Sequence, residues 1–382
     1  MGDLPESNNR VKNVLHVIDA NCSWIRSLVD AMPPDWHVRN YRIYNPQWLP
    51  GGKADLLRVF RPRYLSETSD EVFCVVPGWN KHPVASAWIV QLWMWQSLAR
   101  NLQGSAVLFT FPFYSGVAAW VRRRFPAVKV FYHAHDPFEF YSYPAGYIRT
   151  HEDRLVPLCH RVLAISERLA SDFCERYPSA RVTRLGNATS IDFLEFRARS
   201  VPDKVEEIRS AGRTVVGCIG QINSSYDWDL LEDAATVNLS TQFVFVGNLF
   251  EEEGMTRRIR AFFERPNVHW LGPVPHAELP SYMAAFDICL NPLAVTAQND
   301  RRDTLRLYDY LTTDRPVYST AIDGAKIHRE HVEVFTNQAE MTRALGSVPR
   351  ALDSDRLAAR RRYVAGNTWN ARAIDLVAAL NR

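Results

Sequence analysis

The chain has 382 residues, 47% of them hydrophobic, and carries 45 Lys and Arg against 42 Asp and Glu. Its length suits two domains and its composition is that of a globular protein. The formal net charge of +3 argues against nucleic acid as the main partner, because proteins that bind the phosphate backbone usually carry a strong basic excess.

Cysteine usage and the N-terminal residues predict a cytoplasmic protein. The six cysteines form no CxxC pair, so buried free thiols fit them better than a zinc site or disulfides. The first residues are polar and show no signal-peptide pattern, and no apolar run reaches the ~18 residues of a membrane span. Two arginine clusters, at residues 122–124 and 360–362, indicate either solvated helix faces or a weak attraction for anionic lipids. Peripheral contact with the inner face of a membrane stays open.

Short apolar runs alternate with amphipathic segments, which is the pattern of parallel α/β folds. In the first half we predict strands over residues 14–18, 72–76, 106–109, 129–132 and 161–165, with helices over 23–31, 85–102 and 116–124. In the second half we predict strands over residues 214–219, 242–246, 268–271, 288–291, 316–319 and 332–335, with helices over 228–238, 254–265, 279–285 and 371–380.

A charged stretch separates these halves and predicts two doubly wound domains. We expect an N-terminal Rossmann-like domain over residues 1–192 and a linker over 193–213. A C-terminal Rossmann-like domain follows over 214–350, and a helical segment over 351–382. Two such domains would face a cleft, and ligands bind at the carboxyl ends of their strands.

The second half holds the clearest candidate ligand site. A strand ends at Gly272, whose loop can present backbone groups to a nucleobase, and a later helix opens at Thr304, a candidate N-cap. Arg306, in its first turn, suits a pyrophosphate. Asp309 lies on the same face and suits ribose hydroxyls. Taken alone, Arg306 and Asp309 would read as an ordinary helical ion pair.

The run RLYDYLTTDRPV, from Arg306 to residue 317, resembles the donor-binding signature P-x-K-L-x-E-Y-L-A-x-G-x-P-V of GT-B glycosyltransferases. The preceding VHWLGPVPHAELPSYMAAFDICLNPL resembles that family's strand-loop-helix-strand, and VVGCIGQINSSYDWDLL resembles its first loop. The resemblance implies a GT-B fold and a nucleotide-sugar donor, UDP-sugar favoured, with no cofactor. It also implies that residues 1–192 form the acceptor domain and residues 214–350 the nucleotide-sugar domain, and that the segment 351–382 can pack back on the first domain. The donor-binding residues that it implies are Gly220, Asn223, Gly272, Val274, Arg306, Leu307 and Asp309.

One departure concerns the stereochemical outcome. Many retaining GT-B enzymes have a glutamate eight positions before the residue that Asp309 replaces, and this chain has Arg301 there. Asp300 and Asp303 are the nearby substitutes, so the resemblance to retaining enzymes is weakened.

In the first half, YHAHDPFEFY follows a strand and contains His133, His135 and Asp136. It lacks the aspartate and histidine that a binuclear HxHxDH metal site needs, so we predict no metal. The segment resembles Y-x-x-x-D of inverting bacterial exopolysaccharide transferases of the xanthan glucuronosyltransferase type. That resemblance implies Asp136 as the general base and His135 as its helper. The alternative is that Asp136 only caps the turn beside Pro137.

These observations predict a metal-independent hexosyltransferase of bacterial surface polysaccharide synthesis, acting on a glycan or lipid-linked acceptor. A nucleotide-sugar epimerase and a non-catalytic GT-B-like binding protein are the two alternatives. Turnover of a UDP-sugar without acceptor would indicate the former, and weak or absent nucleotide binding the latter.

Overall fold

The structure, a computed structural model, describes residues 13–19, 21–44, 70–75, 102, 105–141, 143, 146–196, 201–209, 214–250, 254–349 and 351–382. It separates into two compact units. The first contains the described residues up to Ile165, with Ala170–Leu185 and Ala373–Arg382; the second contains Ser166–Leu169 and Gly186–Arg372. The predicted helix over residues 85–102 lies outside the described residues, apart from Leu102.

The first unit is built on a parallel sheet whose seven described strands follow the order β3-β2-β1-β4-β5-β6-β7. The strands are β1 (Asn13–Ile18), β2 (Trp36–Tyr44), β3 (Asp70–Val75), β4 (Ser105–Phe109), β5 (Lys129–Ala134), β6 (Arg161–Ala164) and β7 (Val182–Arg184). Its described α-helices are α1 (Ser23–Asp30), α2 (Ser115–Arg124), α3 (Tyr147–Leu155) and α4 (Glu167–Arg176). The middle strands are almost wholly buried, as expected of parallel strands covered on both faces.

The second unit contains a six-stranded parallel sheet in the order β10-β9-β8-β11-β12-β13. Its strands are β8 (Val215–Ile219), β9 (Gln242–Val246), β10 (Val268–Trp270), β11 (Ile288–Asn291), β12 (Val317–Thr320) and β13 (Glu333–Phe335). The helices from here to the end of the chain are α5 (Ile191–Glu195), α6 (Asp203–Arg209), α7 (Trp228–Val237), α8 (Thr256–Phe263), α9 (Leu279–Ala285), α10 (Ala297–Asp300), α11 (Leu305–Tyr310), α12 (Asp323–Lys326), α13 (Gln338–Leu345), α14 (Ser354–Ala365) and α15 (Trp369–Asn381).

Each sheet has one point at which the strand order reverses. In the first unit the chain builds outward from β1 to β3 and then returns to the other side of β1 with β4. In the second unit it builds from β8 to β10 and returns beside β8 with β11. Ligands of open α/β sheets bind at the carboxyl ends of the strands at such switch points. The predicted α/β class is therefore confirmed, and each sheet indicates where its ligand site lies.

Part of the predicted linker is helical. Within α6, Val205 is fully buried and belongs to the hydrophobic core of the second unit, as does Phe193. The linker residues 197–200 and 210–213 lie outside the described residues. At the other end of the chain, residues 373–382 belong to the first unit. There the Nζ of Lys129 donates to the carbonyl oxygens of Leu380 and Asn381, at 3.1 and 3.3 Å.

Several of the described elements were not predicted, among them two strands and a helix of the first unit, and one predicted surface is buried. Strands β2 and β7 and helix α3 lack a clear apolar run, which is why the sequence pattern did not indicate them. Arg360, taken as part of a basic helix face, is 3% exposed. Its guanidinium donates to the carbonyl oxygens of Thr313, Arg315 and His331. It therefore joins three backbone segments of the second unit rather than facing solvent.

Candidate functional site

The carboxyl ends of β8, β9 and β10 lie side by side and each is followed by a glycine. Gly220 has a φ of 104°, and its N–H donates to the carbonyl oxygen of Val246 at 2.9 Å. A Cβ on Gly247 would collide with the carbonyl oxygen of Gly220, so only glycine permits this approach. The N–H of Gly247 in turn donates to the carbonyl oxygen of Gly272. Bare backbone therefore lines this edge of the second sheet.

Arg306 reaches from α11 across the switch point to the end of β8. Its Nη1 donates to the hydroxyl of Tyr226 at 2.9 Å and lies 3.3 Å from the Sγ of Cys218. The guanidinium stacks over the Tyr226 ring, 5.0 Å from its centroid. A Cβ placed on Gly220 would lie 3.3 Å from Nη2, so the arginine rests directly on this glycine. The predicted pair of Gly220 and Arg306 is thus brought together.

The charge of Arg306 is not neutralised by the residues around it. Burial raises the pKa of Tyr226 well above its usual range, so its hydroxyl stays neutral beside the guanidinium. Among the residues that the structure describes, no carboxylate pairs with Arg306, and Asp309 in particular does not. The helical ion pair is therefore not formed. A half-buried cation whose described partners are neutral attracts an anion.

Asp309 faces another part of the second unit. It is 6% exposed, and its Oδ1 accepts a hydrogen bond from the hydroxyl of Thr189 at 2.7 Å. Burial raises its pKa to about 7, and the Thr189 hydrogen bond opposes the rise. The carboxyl is therefore close to half protonated at neutral pH. Ribose binding by this residue stays a prediction.

Other predicted donor residues have mainly local contacts. The Oδ1 of Asn223 accepts from the N–H of Ser225 and forms a turn. Val274 packs against the core, and the side chain of Leu307 is fully buried in it, which makes packing rather than ligand contact its task. Thr304 occupies the N-cap position of α11, but its hydroxyl makes no capping hydrogen bond.

The segment before α11 is held by two aspartates. The Oδ2 of Asp303 accepts from the N–H of Asn187 at 2.8 Å and from the hydroxyl of Tyr308 at 2.9 Å. The Oδ1 of Asp300 accepts from the N–H of Asp323 at 3.1 Å. Both carboxylates, which the sequence offered as substitutes for a retaining-enzyme glutamate, thus hold backbone in the second unit.

In the first unit, Asp136 follows β5 at the carboxyl edge of the sheet. Its Oδ2 accepts a hydrogen bond from the hydroxyl of Tyr141 at 2.6 Å. His135 is buried in an aromatic slot, with ring centroids 5.8 Å from Trp24, 5.2 Å from Phe111 and 5.1 Å from Phe138. This packing favours a neutral imidazole.

Burial also sets the protonation of the two histidines. It lowers the pKa of His135 to about 4, although backbone carbonyl groups nearby offset part of the shift. Burial and then repulsion from His135 lower the pKa of His133 to about 3. Both imidazoles are therefore neutral at pH 7, and both are weak bases.

A residue that the sequence analysis did not single out, Asp19, lies at the switch point of the first unit. It ends β1 with a φ of 70°, which is rare outside glycine. Its carboxylate accepts from Tyr114 at 2.7 Å and Asn21 at 2.9 Å. Burial raises its pKa to about 7 despite these hydrogen bonds. Burial, then the charges of Asp19 and Asp136, raise the pKa of Cys22 to about 12, so both carboxylates lie near this thiol. An acid directly after the first strand was the available signal.

The described residues contain neither a metal-binding cluster nor a membrane-spanning helix. No group of three or more His, Cys, Asp or Glu side chains in the described part of the chain is placed to hold a metal ion. None of the described helices is long and apolar enough to cross a membrane.

Comparison with known proteins identifies the class to which this fold belongs. A family model described as "Glycosyl transferase-like" matches residues 226–378, a stretch that contains Arg306. Solved structures match 97% of the chain. One is an E. coli trehalose-6-phosphate structure bound with UDP-2-fluoro glucose, with a TM-score of 0.73, 10% identity and 99% of that chain covered. Another is the sucrose-phosphate synthase of Thermosynechococcus elongatus, with a TM-score of 0.71, 12% identity and 98% coverage. The chain has the GT-B fold.

One further solved structure and one curated sequence also resemble this chain. HepE of Anabaena, in complex with UDP-glucose, has a TM-score of 0.66 at 15% identity, with 99% of that chain covered. The putative teichuronic acid biosynthesis glycosyltransferase TuaH of Bacillus subtilis (strain 168) is 23% identical over 187 residues, which are 48% of this chain and 46% of TuaH. The chain therefore spans about half the length of this curated relative.

Proposed function

We propose that the chain is a glycosyltransferase that takes a sugar from a nucleoside-diphosphate sugar, with UDP favoured. The observation that carries the proposal is Arg306, a guanidinium at the switch point of the second unit with no carboxylate partner among the described residues. A diphosphate would supply the missing negative charge and then act as the leaving group. The UDP complexes of two structural relatives support the choice of base.

The proposal gives the two units separate tasks. The second unit holds the donor, with bare backbone at Gly220 and Gly247 admitting the diphosphate close to Arg306. The first unit holds the acceptor, and Asp136 takes the proton from the attacking hydroxyl. In a single displacement the acceptor oxygen bonds to the anomeric carbon while the bond to the diphosphate oxygen breaks. Anomeric configuration is then inverted, and Tyr141 keeps the Asp136 carboxylate in place.

We further propose that the enzyme is metal-independent and transfers a hexose to a glycan or lipid-linked acceptor in surface polysaccharide synthesis. Arg306 would supply the charge that a divalent ion supplies in other transferases. The likeness to TuaH supports the polysaccharide role. Action in the cytoplasm, at the inner face of a membrane, follows if the acceptor is lipid-linked. Transfer that persists in excess EDTA is the result expected of metal independence.

The first experiment is a thermal-shift panel of UDP, GDP, ADP, TDP and CMP. A nucleotide at about 100 times its Kd should stabilise the fold by ~2.7 kcal/mol, a shift of roughly 5 to 10 °C. Arg306→Ala should abolish the shift and Arg306→Lys should restore part of it. Arg361→Ala is the matched control, because Arg361 is exposed and pairs only with Asp314.

The outcomes separate the proposal from its alternatives. A shift with one nucleotide that only the Arg306 variants lose supports a donor site and identifies the base. No shift with any nucleotide would favour a non-catalytic relative. Turnover of the UDP-sugar without acceptor would instead indicate an epimerase. Once the donor sugar is identified, Asp136→Asn should keep the thermal shift with nucleotide and lower the transfer rate by about 100-fold or more.

A further inference from the structure

The amino ends of three neighbouring strands in the first unit carry a row of cations. Lys129 begins β5, Arg161 begins β6, and Arg181 immediately precedes β7. Because adjacent strands lie about 4.8 Å apart, these side chains emerge close together. The last turn of α2 adds Arg122, Arg123 and Arg124. We call this set of six the basic edge.

Within the described residues, acidic side chains do not neutralise the basic edge. No carboxylate pairs with any of the six in the part of the chain that the structure describes. Their hydrogen bonds go elsewhere, as when Arg161 donates to the hydroxyl of Thr183 at 2.6 Å. Burial, followed by the charges of Arg122, Lys129 and Arg181, lowers the pKa of His160, which lies among them. The cations are thus close enough to act on one imidazole.

His160 lies against both β5 and Arg122. Its Nδ1 accepts the N–H of Val130 at 2.9 Å, so the neutral ring carries its proton on Nε2. That Nε2 lies 3.3 Å from Nη1 of Arg122, which is also a donor. The ring of His160 therefore brings the end of α2 next to the amino end of β5.

Aromatic rings next to the arginines indicate which kind of anion fits. Trp120 and Phe125 pack edge to face at 5.5 Å, and the guanidinium of Arg124 lies 5.8 Å from the Phe125 centroid. Both rings are only partly buried, beside the exposed Arg123 and Arg124. Half-exposed aromatic rings among cations are typical of surfaces that lie at a lipid–water interface. The net charge of only +3 does not suit a nucleic acid.

We infer that the basic edge is a docking surface for a membrane that contains anionic lipids. It occupies the amino edge of the sheet, whereas Asp19 and Asp136 follow strands β1 and β5 at the carboxyl edge. The inference assigns a surface to the membrane contact of the proposed function. It rests on the proposed function only for the reason why this protein would bind a membrane. Nucleotide binding involves none of these residues.

The test is co-sedimentation of the full chain with vesicles of phosphatidylcholine alone or with about one third phosphatidylglycerol. We expect binding to the anionic vesicles at low ionic strength and its loss near 1 M salt, where the Debye length falls to about 3 Å. The triple variant Arg122→Gln, Arg123→Gln, Arg124→Gln should bind about 100-fold more weakly. The matched triple Arg356→Gln, Arg361→Gln, Arg362→Gln removes the same charge from exposed positions of α14 and should bind like the parent chain.

Three results would overturn the inference. The first is equal binding to both kinds of vesicle, or binding to neither, and the second is an equal loss of vesicle affinity in the two triple variants. The third is binding to a single-stranded RNA that is tighter than vesicle binding and is also lost in the α2 triple variant. The thermal shift with nucleotide is measured on the same preparations. If that shift survives while vesicle binding fails, the docking surface alone is wrong. If vesicle binding succeeds without any nucleotide shift, the transferase proposal fails and the surface stands.

Discussion

At the scale of single residues, the proposed donor site of the second unit rests on the contact between one glycine and one arginine. The sequence resemblance indicated both Gly220 and Arg306, because glycine spacing and a cation after an apolar strand survive as local patterns. It did not indicate that the guanidinium would stack on the ring of Tyr226 and donate to its hydroxyl, since that contact joins positions 80 residues apart. Asp19 was passed over for a related reason: its burial, its φ and its partner Tyr114 all arise from the folded sheet.

Gly220→Ala tests that contact. Gly220 has a φ of 104°, and a Cβ added there would lie against Arg306. Gly254 has a φ of 85°, and a Cβ added there would meet no atom within 4 Å. Both alanine variants should lose about 1–2 kcal/mol of stability, since αL backbone disfavours a side chain. Only Gly220→Ala should also weaken nucleotide binding, measured by calorimetry with the nucleotide that the panel selects. Equal affinities in the two variants would contradict the placement of the donor beside Gly220.

The buried histidines predict an acid-sensitive first unit. The pKa of His133 is about 3 in the folded chain and near 6.5 when unfolded. The unfolded chain therefore binds the proton first, and stability present above pH 6.5 is lost as the pH falls toward 3. Between pH 6.5 and pH 4.5, the free energy of unfolding of His133→Leu should fall by ~2 kcal/mol less than that of the parent chain.

Urea unfolding at the two pH values measures this difference. Asp19, Glu152 and Asp309 have raised pKa values and titrate in the opposite sense, but they do so equally in parent and variant. His331→Leu serves as the control, because this half-exposed ring accepts a proton at lower cost. A parent and a His133 variant with the same acid sensitivity would mean that the ring is not buried in the neutral form.

At the scale of elements, the strands that the sequence could predict were those made of consecutive apolar residues. Strands buried on both faces appear as continuous apolar runs, so β8, β9 and β11 were found within a residue of their ends. Strand β2 has the sequence WHVRNYRIY, whose arginines interrupt any such run, and its parallel pairing with β1 and β3 makes it a strand. Tertiary pairing therefore decided what local pattern could not.

Asp303 is the element-scale test, because it fixes the start of α11. Asp303→Ala would leave the Asn187 N–H and the Tyr308 hydroxyl without their acceptor, at a cost of about 2–4 kcal/mol. Urea unfolding measures the loss. Asp300→Ala removes a single longer hydrogen bond from a half-buried site and should cost less than about 1.5 kcal/mol. If the two variants were equally stable, Asp303 would not anchor the helix.

At the scale of the whole molecule, the chain is divided into two units of similar construction, each with its own sheet and core. The number of domains and the α/β class could be predicted from alternating apolar runs. The membership of residues 373–382 in the first unit was expected only from the family resemblance, because α15 carries no residue pattern that identifies its partner.

Hydrogen exchange should assign this membership experimentally. Leu376 in α15 and Leu231 in α7 are both fully buried, so each alanine variant should lose about 2–5 kcal/mol. Leu376→Ala should accelerate exchange in β5 and β6, and Leu231→Ala in β8 and β9. Faster exchange in the second sheet for both variants would show that α15 belongs there.

The return of residues 373–382 to the first unit also has a consequence for biosynthesis. Gly186–Arg372 must be translated before those ten residues exist, a delay of about 10 to 40 seconds at roughly 5–20 residues per second. The first unit therefore lacks its closing helix for as long as the second unit is being made. During that interval the surface that Leu376 and Leu380 will cover is open to chaperones, and a nascent chain cut short before residue 373 leaves the ribosome with its older half unfinished.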